Sequence, residues 1–321
     1  MAAGWPPSSA RTETSAARAS VPDVARARLS CHNGHMRVTI FGATGLLGKA
    51  LRGEWKLDGV VGLGSQDADV RDAGAVRAAV ERTQPQYIVN AAAYTDVDGC
   101  ESNRELAFAV NCQGAMNVAA AAKAAKAQLI SLSTDYVFDG RGNEPYETTA
   151  PRAPRSVYGN SKAQAEEAIA EILPTACIVR TSWLFGVGGK CFPDTILKMA
   201  EKRPTLDVVD DQRGSPTHAP DLARAIIQLC HRNATGIVHV TNAGECSWFE
   251  FAREIVSAAG FEVQVRPTTS QKFVRPAERP KYSVLSAKSR EQYGVAMPHW
   301  KEALRNYLSQ RLEAGKAEAR G

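Results

Sequence analysis

Tyr158 and Lys162 stand four residues apart in the run Val157-Tyr-Gly-Asn-Ser-Lys162. On a helix that spacing puts both side chains on one face. A phenol titrating at about 10 is a poor proton donor or acceptor near neutrality. An ammonium beside it stabilises the phenolate and lowers that value. The tuned phenol can give its proton to a carbonyl oxygen while hydride from a nicotinamide reaches the carbon, and the lysine can also hold the nicotinamide ribose. Thr134 follows the apolar run Leu129-Ile-Ser-Leu-Ser133. If that run is a parallel strand, its end faces the ligand crevice and the Thr134 hydroxyl can reach the same oxygen. Ser133 reads instead as a strand-end cap. A Tyr–Lys pair at this spacing recurs by accident, so its weight comes from its surroundings.

A second group with chemistry in it is backbone. Gly42-Ala-Thr-Gly45-Leu-Leu-Gly48 follows the β-branched run Arg37-Val-Thr-Ile-Phe41 directly. The first glycine permits a tight turn, the second lets the chain approach a pyrophosphate, and the third lets helix and strand pack closely. The helix N-terminus then offers free N–H groups to the phosphates. A fold of this type that prefers NAD often carries an acid at the end of its second strand, on the ribose 2′-OH. Here Val60–Leu63 runs into Gly64 and Ser65, with Asp67 and Asp69 a few residues later. With no carboxylate at the strand end, a 2′-phosphate meets no repulsion. NADPH is therefore expected to be accepted, with NADH alongside.

These groups need a scaffold, and the apolar runs supply one. Strands are expected at 37–41, 60–63, 87–90, 129–133 and 176–180, alternating with helices at 45–55, 73–82, 107–127 and 163–171. That alternation makes a parallel sheet covered on both faces, a Rossmann-type doubly wound α/β fold. After Trp183 the rhythm loosens into a helix at 216–229, a strand at 236–241 and a helix at 248–259, with loops and short strands over 263–283. The expected organisation is a dinucleotide domain at 36–182, rejoined by 216–242, and a smaller C-terminal α/β substrate lobe at 183–215 and 243–312. Residues 1–35 are rich in Ala, Ser, Arg and Pro without apolar periodicity. They read as a disordered extension or a mis-assigned start before Met36, and less readily as a targeting peptide. A tail is expected over 313–321.

Composition narrows the class. The 321 residues carry a net charge of +5, a mild excess with no basic stripe of the kind nucleic-acid binding needs. It suits an anionic small substrate. Seven scattered cysteines without a C-x-x-C pair fit a reducing cytoplasm. No apolar run approaches the roughly 20 residues of a membrane span.

The G-x-x-G-x-x-G spacing resembles the extended short-chain dehydrogenases. Five motifs in order carry a closer resemblance, to the dTDP-4-dehydrorhamnose reductase family. They are Asn90-Ala-Ala-Ala-Tyr-Thr95, Ser133-Thr-Asp-Tyr-Val-Phe-Asp-Gly140, Val157-Tyr-Gly-Asn-Ser-Lys162, Arg180-Thr-Ser-Trp183 and Asp211-Gln-Arg-Gly-Ser-Pro-Thr217. The resemblance spans about Met36 to Leu308. It implies an enzyme that reduces a dTDP-4-keto-6-deoxy sugar with NAD(P)H, using Tyr158 as proton donor, Lys162 as its partner and ribose ligand, and Thr134 on the oxyanion side. It also implies that Gly45, Leu46, Leu47, Asp69, Val70, Ala93, Tyr94 and Thr95, with Gly42 and Gly48, line the cofactor, Asp69-Val70 flanking the adenine. Thr134, Asp135 and Trp183 would contact the sugar nucleotide, the indole as a flat apolar wall, and Arg279 could meet its diphosphate. The resemblance allows a homodimer. Some members bind magnesium at a dimer contact, but the adjacent acids Asp210 and Asp211 do not by themselves make a metal site, and none is expected. Two alternatives stay open: a non-enzymatic subunit resembling methionine adenosyltransferase β, and an epimerase or dehydratase acting on another nucleotide sugar.

Overall fold

In the computed structural model, which describes Met1, residues 36–56 and residues 59–318, the expected apolar runs form one sheet. The elements that build the dinucleotide half come first. They are β1 (Val38–Phe41), α1 (Leu46–Glu54), β2 (Val60–Leu63), α2 (Ala73–Thr83), β3 (Tyr87–Asn90), α3 (Val97–Ser102), α4 (Arg104–Phe108), α5 (Gly114–Ala125), β4 (Gln128–Thr134), α6 (Val157–Ile172) and β5 (Cys177–Thr181). The second half holds β6 (Leu184–Phe185), α7 (Phe192–Ala200), β7 (Thr205–Val209), β8 (Arg213–Gly214), β9 (Thr217–His218), α8 (Ala219–His231), β10 (Gly236–His239), β11 (Cys246–Ser247), α9 (Trp248–Ala258), β12 (Gln264–Thr268), α10 (Lys288–Gln292) and α11 (Trp300–Glu318).

Six strands lie side by side in the order β10-β5-β4-β3-β1-β2, every pairing parallel. The chain leaves β1 for β2 on one side and returns to β3 on the other, so strand order reverses between β1 and β3. In a doubly wound sheet, ligands bind in the crevice beyond the strand C-termini at such a reversal. One face of the sheet buries Leu47, Leu51 and Trp55 of the α1 region with Leu222, Ile226 and Leu229 of α8. The other buries Val76 and Val80 of α2, Val118 and Ala122 of α5 and Ile169 of α6. The Rossmann-type α/β reading is borne out. A third apolar cluster, of Ile196 and Leu197, Leu206 and Val208, Phe251 and Ile255, and Leu304 and Tyr307, joins α7, β7, α9 and α11.

Two expectations meet a different structure. The single helix expected over 107–127 is broken into α4, a π-helical turn at Ala109–Gln113 and α5. The break brings Asn111 inward, where its amide accepts from Tyr94 N at 2.7 Å and donates to Tyr94 O at 3.1 Å. The helix α11 runs through Glu318, past Leu312 where a tail was expected. The extension assigned to 1–35 lies, apart from Met1, outside the described residues, as do 319–321.

Candidate active site

The glycine loop joins β1 to α1. Gly42 has φ of 78°, the left-handed region, and a Cβ there would stand 2.6 Å from Ala92 N. A Cβ on Gly48 would run into the Gly42 carbonyl oxygen. Both positions therefore need glycine, one for its φ and one for helix–strand packing. Gly45 is the N-cap of α1 and no side chain bonds the cap, so the first N–H groups of the helix, at Leu46 and Leu47, stay available to an anion. A backbone cradle closed by glycine and opened to free N–H groups fits a dinucleotide pyrophosphate. Across the β1/β3 reversal lie Ala93, Tyr94 and Thr95, the middle one fixed by Asn111.

At the position expected to flank the adenine, Asp69 is held by Arg71, whose Nε donates to it at 2.9 Å, and this hydrogen bond keeps the carboxyl below its ordinary value. Val70 is buried. The strand end at Gly64 differs from expectation. The chain turns back, and the Asp67 carboxylate accepts from Gly64 N at 2.8 Å, returning to the end of β2 an acid that the strand itself lacks.

Tyr158 and Lys162 occupy successive turns at the start of α6, and the fold fixes that start three ways. The Ser156 hydroxyl caps it by accepting from Gly159 N at 3.1 Å. Glu101 accepts from Val157 N at 2.8 Å. Gly159 lets the helix lie against the turn after β4, since a Cβ there would strike the Tyr136 carbonyl oxygen. Tyr158 consequently stands edge-on to Tyr136, ring centres 5.7 Å apart. Asn111 reaches the same helix, donating to the Ser161 hydroxyl at 3.0 Å.

Thr134 ends β4. Its hydroxyl donates to Asp135 Oδ1 at 3.0 Å and accepts from Tyr136 N at 3.2 Å. The structure thus brings Thr134, Asp135 and Tyr158 together, with Lys162 one turn further along α6. It reverses one electrostatic expectation. Burial raises the Tyr158 phenol above its ordinary value, and the hydrogen bond with Thr134 opposes that shift without overcoming it. Burial also lowers Lys162 to about 8, with Glu166 one turn further along α6 pulling the other way. Asp135, fully enclosed, is pushed up to about 6. At neutral pH the phenol carries its proton and can give it away. Such a group can serve a carbonyl that is becoming an alcohol.

Beyond these residues opens a cavity of about 940 Å³, bounded among others by Arg141, Phe192, Trp248, Arg279 and Lys281. Arg279 is in its wall, but its guanidinium grips Asp98 through two bonds, at 2.8 and 2.9 Å, and that pairing holds the Asp98 carboxyl down to about 2. Trp183 is not among the cavity-lining residues. It has φ of 47° and lies flat on Trp248, ring centres 3.4 Å apart, so Trp248 is the indole at the wall. Gly214 backs Trp183, with a Cβ there only 2.5 Å from the ring.

Trp248 and Asn111 were not foreseen as site residues, because their positions depend on tertiary contacts. The segment Gly186-Val-Gly-Gly189 could have been noticed as a glycine run. Gly186 and Gly189 lie against Leu46, and Lys49 donates to Gly188 O at 2.6 Å, so this segment flanks the glycine loop. Asp210 and Asp211 face apart, toward Ser247 and Ser270. Among the described residues no group of three His, Cys, Asp or Glu could hold a metal.

Comparison with known proteins adds a family. A family model described as the RmlD substrate binding domain matches residues 36–312. The spore coat polysaccharide biosynthesis protein SpsK of Bacillus subtilis is 41% identical over 280 residues, covering 87% of this chain and 99% of that protein. A dTDP-4-dehydrorhamnose reductase of Streptomyces griseus is 42% identical over 278 residues, covering 84% of this chain and 91% of the relative. The solved structure of the dTDP-4-dehydrorhamnose reductase of Bacillus anthracis, in complex with NADP, matches with a TM-score of 0.84 at 39% identity, over 86% of this chain and 100% of that one.

Proposed function

The chain belongs to the RmlD substrate binding domain family, and on that premise we propose that it is a dTDP-4-dehydrorhamnose reductase. It reduces the C4 carbonyl of dTDP-4-dehydro-β-L-rhamnose, giving dTDP-L-rhamnose and oxidised cofactor. Relatives near 40% identity that bear this name support the reading. The observation that carries it is Tyr158, held neutral beside Thr134 and one helical turn from Lys162, at the crevice end of the sheet that presents the glycine loop.

The bound dinucleotide supplies hydride to C4. The chain does the rest. Gly42, Gly45 and Gly48 with Leu46 and Leu47 seat the pyrophosphate. Asp69, Val70 and Ala93–Thr95 line the remainder of the cofactor, and Lys162 holds the nicotinamide ribose. Thr134 and Tyr158 receive the carbonyl oxygen, and the Tyr158 proton passes to it as the alkoxide forms. Asp135 and Trp183 serve the sugar, Trp183 through the Trp248 indole that covers it, and Arg279 faces the diphosphate. On this reading 36–182 and 216–242 serve the dinucleotide, while 183–215 and 243–312 serve the sugar nucleotide. NADPH is accepted, and NADH with it. The setting is the cytoplasm. Among the described residues no helix is long and apolar enough to cross a membrane.

The test is NADPH oxidation with the dTDP-4-keto sugar, its UDP analogue beside it, and the product identified by NMR. Stoichiometric oxidation with formation of the 4-hydroxy sugar is expected. Turnover of a nucleotide sugar without net oxidation would instead mean an epimerase or dehydratase. Co-purification with a methionine adenosyltransferase, without reductase activity, would mean a regulatory subunit.

A further inference from the structure

We propose that Asp67 sets the balance between the two dinucleotides, its carboxylate standing in for the strand-end acid and favouring NADH over NADPH. The inference rests on the reading above that the glycine loop seats a nicotinamide dinucleotide.

Gly64, the residue after β2, is buried, and a Cβ there would stand 2.9 Å from the Thr44 methyl of the glycine loop. An acid at this position would displace Thr44. The chain solves the problem three residues on. Asp67 N and Ala68 N both donate to Gly64 O at 3.1 Å, closing a tight turn, and Asp67 Oδ2 accepts from Gly64 N at 2.8 Å. The carboxylate therefore comes back to the strand end, within 3.5 Å of where a side chain on Gly64 would begin, and on the side of Thr44. Its other oxygen takes no hydrogen bond among the described residues, and the residue is exposed.

A carboxylate returned to the end of β2 is in the region where a Rossmann acid accepts from the ribose 2′-OH, and its second oxygen is free to do so. A 2′-phosphate at the same point would meet a like charge. The neighbouring guanidinium of Arg71 offers little relief, because it is already engaged by Asp69. Arg52 of α1 has no such partner among the described residues and lies over Gly62, two residues before Gly64. It supplies a cation beside the glycine loop, so NADPH is disfavoured but not shut out.

The experiment is a titration of the full chain, without sugar, by the fluorescence of NADH and of NADPH. It compares wild type, Asp67→Asn and Asp67→Ala. Asn keeps an oxygen for Gly64 N and removes only the charge. Wild type should bind NADH at least tenfold more tightly than NADPH. Asp67→Asn should shift the ratio of the two Kd values toward NADPH by tenfold or more, with an unchanged melting temperature, and Asp67→Ala should shift it in the same direction. A ratio that stays put, or a parallel weakening of both dinucleotides, overturns the proposal and reduces Asp67 to a turn-former. If neither dinucleotide binds wild type, the cofactor reading itself fails and takes the proposal with it.

Discussion

Burial acts in opposite senses on the two side chains at the start of α6. It raises the Tyr158 phenol and lowers the Lys162 ammonium to about 8, in each case because the charged form loses its water. Tyr158 is thus neutral through the working range and loaded with the proton it must donate. Tyr158→Phe should lower kcat by about 10²- to 10⁴-fold, the usual worth of a positioned acid, while dinucleotide titration shows binding retained. Near-normal turnover would remove Tyr158 from the mechanism. Lys162 gives the rate an alkaline limit. As pH rises past about 8 the ammonium discharges and stops stabilising the nascent phenolate, so kcat should fall there. A pH–rate profile flat to pH 10 would contradict that role. Asp135 affects stability instead. Its folded value of about 6 exceeds that of the unfolded chain, so between about pH 4 and pH 6 the folded state holds a proton that the unfolded state releases. Stability should therefore decline as pH rises through that window. Asp135→Asn should flatten the slope in urea titrations at several pH values.

The elements were legible wherever local pattern decided them. The β-branched runs became β1 to β5, and the glycines bounding them marked the cofactor turn, because backbone sterics and strand burial act within a few residues. Ala107 to Ala127 shows the limit. The stretch carries no Pro, and Gly114 just after the turn does not by itself announce a π-turn, which is tied to partners of Asn111 far along the chain, at Tyr94 and Ser161. Asp67 is similar: its spacing from β2 was visible, but the direction of its carboxylate depends on the turn back to Gly64. Trp183 was recognised from its motif, whereas the indole that covers it comes from α9. Gly159 offers a test at this scale. Gly159→Ala must push α6 off the Tyr136 carbonyl, at a cost of about 1–3 kcal/mol for overpacking. Because Tyr158 and Lys162 ride on that helix, kcat should fall along with the melting temperature. An alanine variant with wild-type stability and rate would show that α6 is free to shift.

Across the whole molecule, one buried polar network ties the catalytic helix to the sheet. Glu166 accepts from Ser133 Oγ of β4 at 2.5 Å and from Arg180 Nε and Nη2 of β5 at 2.8 and 2.6 Å. Arg180 also lies over the Phe138 ring and beside His239 of β10, whose imidazole burial lowers to about 3. Three strands and α6 thus share one desolvated ion pair, with Glu166 and Arg180 each almost fully buried. Removing Arg180 leaves the buried Glu166 carboxylate with only the Ser133 hydroxyl and a longer contact to the partly exposed Arg152, at 3.4 Å. Arg180→Met should lower unfolding free energy by about 3–5 kcal/mol, read in urea denaturation. Replacing Arg180 and Glu166 together by apolar residues should recover much of that loss. A single variant within 1 kcal/mol of wild type, a margin of roughly RT ln 5, would mean that water reaches the pair.

The face-to-face contact of Trp183 and Trp248 gives the protein an optical handle of its own. Two indoles stacked this closely share their excited states, so the near-ultraviolet circular dichroism should carry a paired positive and negative band that isolated tryptophans lack. Because Trp248 is also cavity wall, a nucleotide sugar that enters and slides against it should change that couplet in amplitude. Trp183→Phe should erase the couplet in the free protein, leaving the uncoupled signal of the four remaining tryptophans as the control.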